Sequence, residues 1–407
     1  MKQLYCQKFI LLLYVGFSLL TGLPGCTLPP PESLSESGDI SMVRVLPQDY
    51  PVFEDDMFYD GLPFAAARSL SYLARVPSAR KFKFGQDIFT ASHMVRSLEN
   101  FIRFTETRPS PPDLQRFIAS NFLIYRSVGA GKPGQVLFTG YYEPLLHGSL
   151  HPSPQFNIPV QARPADLLTI DLSLFSPEFN HKKIIGRFSG KTVLPYYTRQ
   201  EIDTMGLMDN AVKIAWVQDP VALFFLQIQG SGKILLDNGD ILNVHYDISN
   251  GRPYRSIGKL LLEQGKIPRS KMSMQEIRAY LWKHPEEMSA ILNYNPSYVF
   301  FKVERDGPVG YLDVKLTAGR SLALDRHLFP LAALAFVETK KPLVDGAGQI
   351  RTWDKMRRFV FNQDTGGAIR GPGRADLFWG NGPYAAIAAG HMQHGGTLHF
   401  LILKPDR

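Results

Sequence analysis

Apolar residues recur every three or four positions in the first third of the chain, over residues 64–76, 92–104 and 112–123. This spacing places the apolar side chains of each segment on one face of a helix, where they can pack against a core. Proline at position 112 suits the first turn of the third helix. We predict three structural helices in this region and assign them no chemistry.

At Val136 the pattern changes to an alternation of side chains, which predicts a strand over Val136–Glu143. Thr139, Tyr141 and Glu143 then point to one face of that strand. A hydroxyl, a phenol and a carboxylate on one face form a platform that can bind a sugar ring. An ordinary strand with amphipathic tyrosines shows the same pattern, so both interpretations stay open.

Two strands are also predicted at 215–219 and 224–229, followed by a turn at 230–232. Gln229 and Ser231 lie at this glycine-bracketed turn, where their side chains can bind a polar ligand. A plain turn at the end of a strand explains the same residues equally simply.

A hairpin is predicted over residues 233–246, because the sequence Asp-Asn-Gly at 237–239 favours a type I′ turn. Thr198 followed by Glu201 has the spacing of a capping box and predicts a short helix. Helical spacing returns in three later segments, 256–264, 275–282 and 285–292.

A second β-rich stretch is predicted near the C-terminus. Its short apolar strands are 298–302, 310–316, 331–337, 357–362 and 397–403. Glycine and proline turns separate them without a βαβ alternation, which favours a small β-barrel or sandwich over a doubly wound sheet. The fold class is therefore mainly β with peripheral helices (α+β).

The first 26 residues have the pattern of an export signal. Lys2 and Lys8 flank the start of an apolar run over 9–23, which is too short to span a bilayer comfortably. The run leads into Leu-Pro-Gly-Cys26, which resembles a bacterial lipoprotein cleavage site, and a plain secretory signal is the alternative. We predict a signal peptide over 1–26, lipid modification of Cys26 and a flexible tether over 27–45.

Composition narrows the possible chemistry. The second cysteine, Cys6, lies in the segment to be removed, so neither a disulfide framework nor a thiolate metal site is predicted. The net charge of +8 suits an anionic polymer or a membrane surface, and the absence of a nucleic-acid motif argues against nucleic acid as a partner. His391, His394 and His399 lie in a glycine-rich stretch without a suitably spaced carboxylate, so we predict no metal and no cofactor.

Segment 364–380 carries the candidate chemistry. Asp364 and Asp376 lie twelve positions apart with four glycines between them, and Leu377, Phe378 and Trp379 follow the second aspartate directly. Apolar neighbours desolvate a carboxylate and raise its pKa, which is what a general acid needs. The alternative is a glycine-rich turn whose aspartates bind the backbone.

Six stretches, in order along the chain, together resemble the membrane-bound lytic murein transglycosylase A family with its C-terminal 3D domain. They are Thr-Gly-Tyr-Tyr-Glu-Pro at 139–144, Gln-Gly-Ser-Gly at 229–232, Tyr-Arg-Ser-Ile-Gly at 254–258, Met-Ser-Met-Gln-Glu-Ile at 272–277, Asn-Pro-Ser-Tyr-Val-Phe-Phe at 295–301, and segment 364–380. The resemblance implies a double-psi β-barrel built from residues 46–143 and 303–407. A smaller β-rich domain, residues 144–302, would be inserted into it, with a substrate groove between the two.

The resemblance also implies the activity and the roles of individual residues. Members of this family cleave peptidoglycan between N-acetylmuramic acid and N-acetylglucosamine without water and leave 1,6-anhydro ends. Asp376 matches the catalytic acid and Asp364 an auxiliary aspartate, while Glu143 departs from the family pattern and receives no catalytic role. The matching substrate-binding positions are Thr139, Gly140, Tyr141, Gln229, Ser231 and Gly367.

The implied location is the outer membrane of a Gram-negative bacterium, with the protein facing the periplasm through a lipid on Cys26. The implied partners are peptidoglycan strands, the membrane, and wall-synthesis or scaffold proteins. Two other functions fit the same residues. One is a non-catalytic glycan-binding lipoprotein, and the other is an inverting muramidase that uses both aspartates.

Overall fold

The computed structural model describes residues 40–208 and 211–405. The predicted signal peptide, Cys26 and most of the predicted tether lie outside these residues. The end of the predicted tether is a strand instead, because Met42–Val45 pairs antiparallel with Phe122–Ser127 and buries Met42 and Val45. No helix within the described ranges is long and apolar enough to cross a membrane.

Nineteen strands are present in the described residues. They are β1 (Met42–Val45), β2 (Lys81–Phe84), β3 (Asp87–Thr90), β4 (Phe122–Ser127), β5 (Val136–Glu143), β6 (Leu145–Ser149), β7 (Ile158–Gln161), β8 (Leu168–Asp171), β9 (Lys183–Ser189), β10 (Thr192–Pro195), β11 (Lys213–Val217), β12 (Ser231–Leu236), β13 (Ile241–Ser249), β14 (Val299–Glu304), β15 (Ser321–Ala323), β16 (Leu334–Val344), β17 (Ile350–Asp364), β18 (Arg374–Asn381) and β19 (Gln393–Leu403). The α-helices of the same residues are α1 (Leu62–Ala74), α2 (Ala91–Thr105), α3 (Pro111–Asn121), α4 (Arg199–Asp203), α5 (Pro220–Gln229), α6 (Ile257–Glu263), α7 (Met274–Lys283), α8 (Pro285–Asn293) and α9 (Pro383–His391).

Six strands close into a barrel in the order β5, β19, β16, β17, β15, β18. The ring closes at β5, which runs parallel to β18 on one side and antiparallel to β19 on the other. Phe336, Phe359 and Phe361 are fully buried in its core, and α1 and α2 pack on the outside. The barrel therefore joins one early strand to five strands from the C-terminal part of the chain.

A second six-stranded sheet has the order β14, β13, β12, β6, β11, β7, and a parallel bridge between Ala162 and Phe301 links its two edges. The chain passes from β5 of the barrel to β6 of this sheet through Pro144 alone. Helices α6, α7 and α8 pack with one face of α5 in a neighbouring apolar cluster. Strands β8, β9 and β10 form a separate small sheet. This part of the molecule is hereafter called the insertion.

Most predicted elements are confirmed. They include the first two helices, the capping box of α4, helices α6 to α8, strand β5, and the strands that became β14, β16, β17 and β19. The helices and β14 shift by one or two residues at their ends, whereas β16 ends seven residues later than predicted, β17 begins seven residues earlier and β19 begins four residues earlier. The third predicted helix runs too far, because Phe122 and Leu123 begin strand β4. The strand predicted at 310–316 is wrong. That segment is irregular apart from a bridge between Val309 and Lys315.

The strand predicted at 224–229 is also wrong, because these residues belong to helix α5. The Asp219 carboxylate caps this helix by accepting from the backbone N–H groups of Val221 and Ala222, and Gly230 ends it with a φ of +79°. Residues 230–232 are therefore no turn, since Ser231 opens β12. A short apolar run fits a helix and a strand equally well, and the cap at Asp219 is the signal that distinguishes them.

The predicted hairpin is confirmed as β12 and β13, but its turn is of another kind. The type I′ turn needs positive φ at both central residues, whereas Gly239 alone among 237–239 has one, at +90°. The backbone N–H of Leu236 donates to the carbonyl of Asp240, so the loop has three residues with glycine last.

Candidate active site

The two candidate aspartates lie on either side of the three-residue strand β15. Ala323 of that strand pairs with Asp364 of β17 and with Asp376 of β18. Adjacent strands lie about 4.8 Å apart, so the two aspartate Cα atoms are separated by about 10 Å. Both side chains line one cavity. Residues twelve positions apart in the chain therefore meet through the register of the barrel.

Asp376 is hydrogen-bonded to the neighbouring strand. Thr139 pairs with it in register, and the Thr139 hydroxyl donates to its carboxylate at 2.8 Å. Arg374 donates to the same hydroxyl at 3.3 Å. The pKa of Asp376 is raised to about 6, chiefly by burial and in smaller part by the charge of Asp364, against the lowering effects of Thr139 and Arg374. The carboxyl is therefore protonated in part of the molecules near neutral pH.

Asp364 is held by three donors. The Tyr141 hydroxyl donates to Oδ2 at 2.7 Å, and the backbone N–H groups of Tyr311 and Thr365 donate to Oδ1 at 2.9 Å each. Burial raises the pKa of Asp364 despite these bonds. Burial and the nearby carboxylates raise the pKa of Tyr141 well above its usual value, so its phenol stays protonated and keeps donating.

The apolar residues around Asp376 differ from those expected. Leu377 and Trp379 pack in the main barrel core, because successive side chains of a strand point to opposite faces. Phe378 alone of the three lies on the face of Asp376, where it forms a small buried cluster with Tyr141, Leu316 and Ala323. Leu316 lies far away in sequence, so nothing in the 364–380 segment could indicate it.

Glu143, the third polar residue of the β5 face, lies away from the cavity. It is buried, with its carboxylate 3.4 Å from the Lys233 ammonium and accepting from Asn381 at 3.3 Å. Lys233 belongs to β12, so the ion pair links the barrel to the insertion. The contacts of Glu143 therefore join strands and leave it outside the set of cavity-lining residues.

Two glycines predicted to bind substrate have different surroundings. A Cβ at Gly140 would stand 2.6 Å from the Trp379 ring and 3.0 Å from the Cα of Ala389, so Gly140 faces packed side chains and does not line the cavity. Gly367 is exposed in the loop after β17 and lines the cavity with open space around it.

The cavity has a volume of about 650 Å³ and is lined by the barrel and by the insertion. This volume lies in the range of about 300–1,000 Å³ that is typical of small-ligand sites. The insertion side includes Gln229, Ser231, His245, Tyr246, Ser249, Arg252, Tyr254, Asn295, Ser297 and Val299. Thr139 is not among the lining residues of the cavity and is linked to it through its hydrogen bond to Asp376.

Gln229 and Ser231 lie where α5 ends and β12 begins. The Gln229 side-chain carbonyl accepts from the backbone N–H of Tyr142 at 3.0 Å, which ties the end of α5 to β5. Ser231 is buried, and pairs in register with His245. The glycine-bracketed pair therefore does reach the cavity, although the local structure is a helix end and not a turn.

The loops of the insertion wall are fixed by buried polar side chains that the sequence did not single out. Asn250 donates to the carbonyls of Tyr197 and Pro296 and accepts from the backbone N–H of Tyr298. Arg199 donates to the carbonyls of Asn295 and Ser297. The stretches 254–258 and 295–301 carried part of the family resemblance, and the first of them and the start of the second contribute to this wall.

The three C-terminal histidines do not form a cluster. His399 is buried, which lowers its pKa to about 4, His394 packs on the Trp353 ring, and His391 contacts the carbonyl of Ile387 in its own helix. Within residues 40–208 and 211–405, no group of three His, Cys, Asp or Glu side chains is placed to hold a metal ion.

The closed barrel and the second sheet thus share a cavity that contains a carboxyl group of raised pKa, which makes this cavity a candidate acid–base site. A family model described as the MltA specific insert domain matches residues 137–302, and one described as the 3D domain matches residues 320–402. Membrane-bound lytic murein transglycosylase A of Escherichia coli K12 is 33% identical over 282 residues, which cover 68% of each chain. Its Vibrio cholerae counterpart is 31% identical over 281 residues, again 68% of each chain.

The chain belongs to the membrane-bound lytic murein transglycosylase A family. Among solved structures, the membrane-bound lytic murein transglycosylase from Agrobacterium tumefaciens is similar with a TM-score of 0.72 and 29% identity. The match covers 89% of this chain and 98% of that one. The resemblance stated from six sequence stretches is thereby confirmed.

Proposed function

We propose that the protein cleaves the β-1,4 bond between N-acetylmuramic acid and N-acetylglucosamine in peptidoglycan without using water, and leaves 1,6-anhydro-N-acetylmuramyl ends. The observation that carries this proposal is Asp376, a carboxyl of raised pKa bound to Thr139 in a cavity of ligand size. The names of the similar proteins support the same activity.

One carboxyl group suffices for this reaction because the nucleophile belongs to the substrate. In the proposed mechanism Asp376 donates its proton to the leaving 4-oxygen of N-acetylglucosamine while the bond from that oxygen to the anomeric carbon breaks. The 6-hydroxyl oxygen of N-acetylmuramic acid then bonds to the same carbon, and its proton passes to Asp376. The acid is regenerated and no water is consumed. Because the attacking hydroxyl is already part of the substrate, the reaction avoids the entropy cost of positioning a water molecule.

Asp364 is proposed as an auxiliary group that keeps the acid of Asp376 protonated. Its negative charge raises the pKa of Asp376, as a like charge does when two carboxyls share one site. Both of its oxygens already accept hydrogen bonds, from Tyr141 on one side and from two backbone N–H groups on the other. These three donors occupy three of the roughly four lone-pair sites of the carboxylate and lower its basicity toward a water molecule, which favours the transglycosylase over the two-aspartate muramidase.

We assign substrate binding to Thr139, Tyr141, Gln229, Ser231 and Gly367, on both sides of the cavity. In this proposal the space between barrel and insertion is the groove for the glycan strand. Gly140 is assigned to packing under Trp379. The barrel is proposed to be of the double-psi type, formed by residues 46–143 and 303–407 around the insertion 144–302.

The lipid on Cys26 and a place on the outer membrane facing the periplasm remain proposals based on the N-terminal sequence. A lipid anchor would hold the cavity within reach of the wall and of wall-synthesis or scaffold proteins. Incorporation of radiolabelled fatty acid into the wild-type chain, and its loss with Cys26→Ala, would test the anchor directly.

The activity is tested by mass spectrometry of the fragments that the full chain, purified in detergent, releases from peptidoglycan. Fragments lighter than hydrolysed ones by one water, and absent with Asp376→Ala, are expected. Fragments with reducing ends would overturn the proposal in favour of the muramidase. Glycan binding without any release would leave the binding lipoprotein as the function.

A further inference from the structure

The charges that line the cavity are unbalanced. Among its described lining residues, Asp364 and Asp376 are the carboxylates, and the positively charged side chains are the arginines Arg199, Arg252, Arg326 and Arg370. Four guanidinium groups line the same space as two carboxyl groups. The cavity is therefore electropositive and suited to an anionic ligand.

Two of the four arginines are available to a ligand. Arg199 is buried and its guanidinium is bonded to main-chain carbonyls, and the Nε of Arg252 donates to the carbonyl of Tyr196. Arg326 and Arg370 are exposed. The Nε of Arg326 donates to the exposed His327 ring at 3.3 Å, and its guanidinium lies 4.9 Å from the centroid of the Tyr311 ring. Arg370 stands 3.9 Å from the Asp325 carboxylate, beyond hydrogen-bond distance.

Asp325 places these two arginines on one rim. Its buried carboxylate accepts from the backbone N–H groups of Gly371 at 2.9 Å and of His327 at 3.1 Å. One side chain thus joins the residue after Arg370 to the residue after Arg326. Asp325 lies two positions beyond Ala323, the residue that pairs with both site aspartates, so this rim adjoins the proposed reaction site.

We propose that Arg326 and Arg370 form a subsite for the carboxylate groups of the muramyl substituents, so that acidic strands bind more tightly than an uncharged glycan. A guanidinium binds a carboxylate through two parallel hydrogen bonds, which gives orientation as well as affinity. The choice of ligand rests on the proposed function. The carboxylates belong either to the stem peptides or to the lactyl group that is exposed when the peptides are removed.

The test measures dissociation constants with the full chain in detergent, carrying Asp376→Asn so that no ligand is cleaved. The ligands are peptide-bearing glycan strands, the same strands stripped by an amidase, and a chitin hexasaccharide, which has no carboxylate. Adding Arg326→Gln and Arg370→Gln is expected to weaken acidic strands about tenfold and to leave the hexasaccharide unchanged. Added salt should weaken acidic strands alone.

Arg116→Gln with Arg351→Gln is the matched control, since both side chains are exposed in ion pairs elsewhere and the charge change is equal. Loss of affinity for peptide-bearing strands alone supports stem carboxylates, and loss for the amidase-treated strands alone supports the lactyl carboxylate. Loss for both acidic ligands supports a subsite that accepts either carboxylate. The subsite proposal is overturned if the double arginine variant loses as much affinity for the hexasaccharide as for the acidic strands, or if it loses affinity for no ligand. A separate measurement tests the proposed function: if the wild-type protein releases no anhydro fragments from peptidoglycan, that function is wrong, whatever the binding data show.

Discussion

The barrel wall and the insertion wall of the cavity face the same space with different chemistry. The barrel wall carries both carboxyl groups, on the two strands that flank β15, and each is bonded to a side chain of β5. The insertion wall offers Gln229, Ser231 and His245 together with loops held by buried Asn250. Groups that would move protons are fixed by strand register, while groups that would contact the ligand are fixed by loop contacts.

This difference indicates that the two walls divide the reaction between them. Substitutions on the barrel wall should change kcat and the pH profile, and those on the insertion wall should change KM. Four substitutions test this division between the two walls.

Asp376→Asn should have the largest effect, because it removes the acid. We expect a fall in the rate of anhydro-fragment release of about a thousandfold or more. Stability should rise at the same time. The raised pKa means that the folded protein binds more protons than the unfolded chain between about pH 4 and 6. Asp376 therefore destabilises the fold once pH exceeds about 6.

Melting curves check this second part. Asp376→Asn should melt at a higher temperature than wild type at pH 8 and at nearly the same temperature at pH 4. A lower melting temperature at both pH values would mean that the inactivity comes from damage to the fold, and the division between the walls would lose its main support.

Asp364→Asn should lower kcat about tenfold to a hundredfold and move the fall of activity at high pH to lower pH. The carboxylate of Asp364 raises the pKa of Asp376, so its removal lets the acid ionise earlier. A pH–rate profile measures the shift. Asp354→Asn, an exposed change on the same strand β17, is the control and should shift nothing.

Ser231→Ala should raise KM about fivefold with little change in kcat, as expected for one lost hydrogen bond to the ligand. Initial rates over a range of strand concentrations separate the two constants. Ser71→Ala, exposed on α1, serves as the control. A fall in kcat with unchanged KM would place Ser231 with the barrel wall and contradict the division.

Arg374→Gln should have the smallest effect. Its guanidinium lowers the pKa of Asp376, so neutralising it moves the high-pH limb of the profile upward, opposite to Asp364→Asn. The rate at low pH should stay near that of wild type. If the high-pH fall of activity shifts in the same direction for Arg374→Gln and Asp364→Asn, that fall is caused by the ionisation of a group other than Asp376.

Local sequence patterns correctly predict the elements that are determined by neighbouring residues. The alternation over Val136–Glu143 gave β5 and the face that carries Thr139 and Tyr141, and the Thr198 capping box gave α4. The run at 224–229 was misassigned because the apolar pattern outweighed the helix cap at Asp219. Strands β8 to β10 were not assigned, since their weakly buried residues show little alternation.

Residue types and the family resemblance predict which residues belong to the candidate site, but not how these residues are arranged in space. Asp364, Asp376 and Tyr141 were named from sequence, but their common register around Ala323 depends on the closed barrel. Tyr311 donates to Asp364 through its backbone, which no side-chain pattern reveals. Arg326 and Asn250 reach the cavity region through contacts between distant segments, and a single sequence carries no record of such contacts.

The early position of β5 has a consequence for biosynthesis. Its two neighbours, β18 and β19, lie in the C-terminal part of the chain, and the hydrogen-bond partner of Thr139 is an aspartate 237 positions further along. The insertion sheet, whose strands all fall between Leu145 and Glu304, can pair before the barrel does. A nascent or truncated chain that lacks β18 leaves both edges of β5 open and has no assembled site. The candidate site can therefore form only after β18 has been added to the chain.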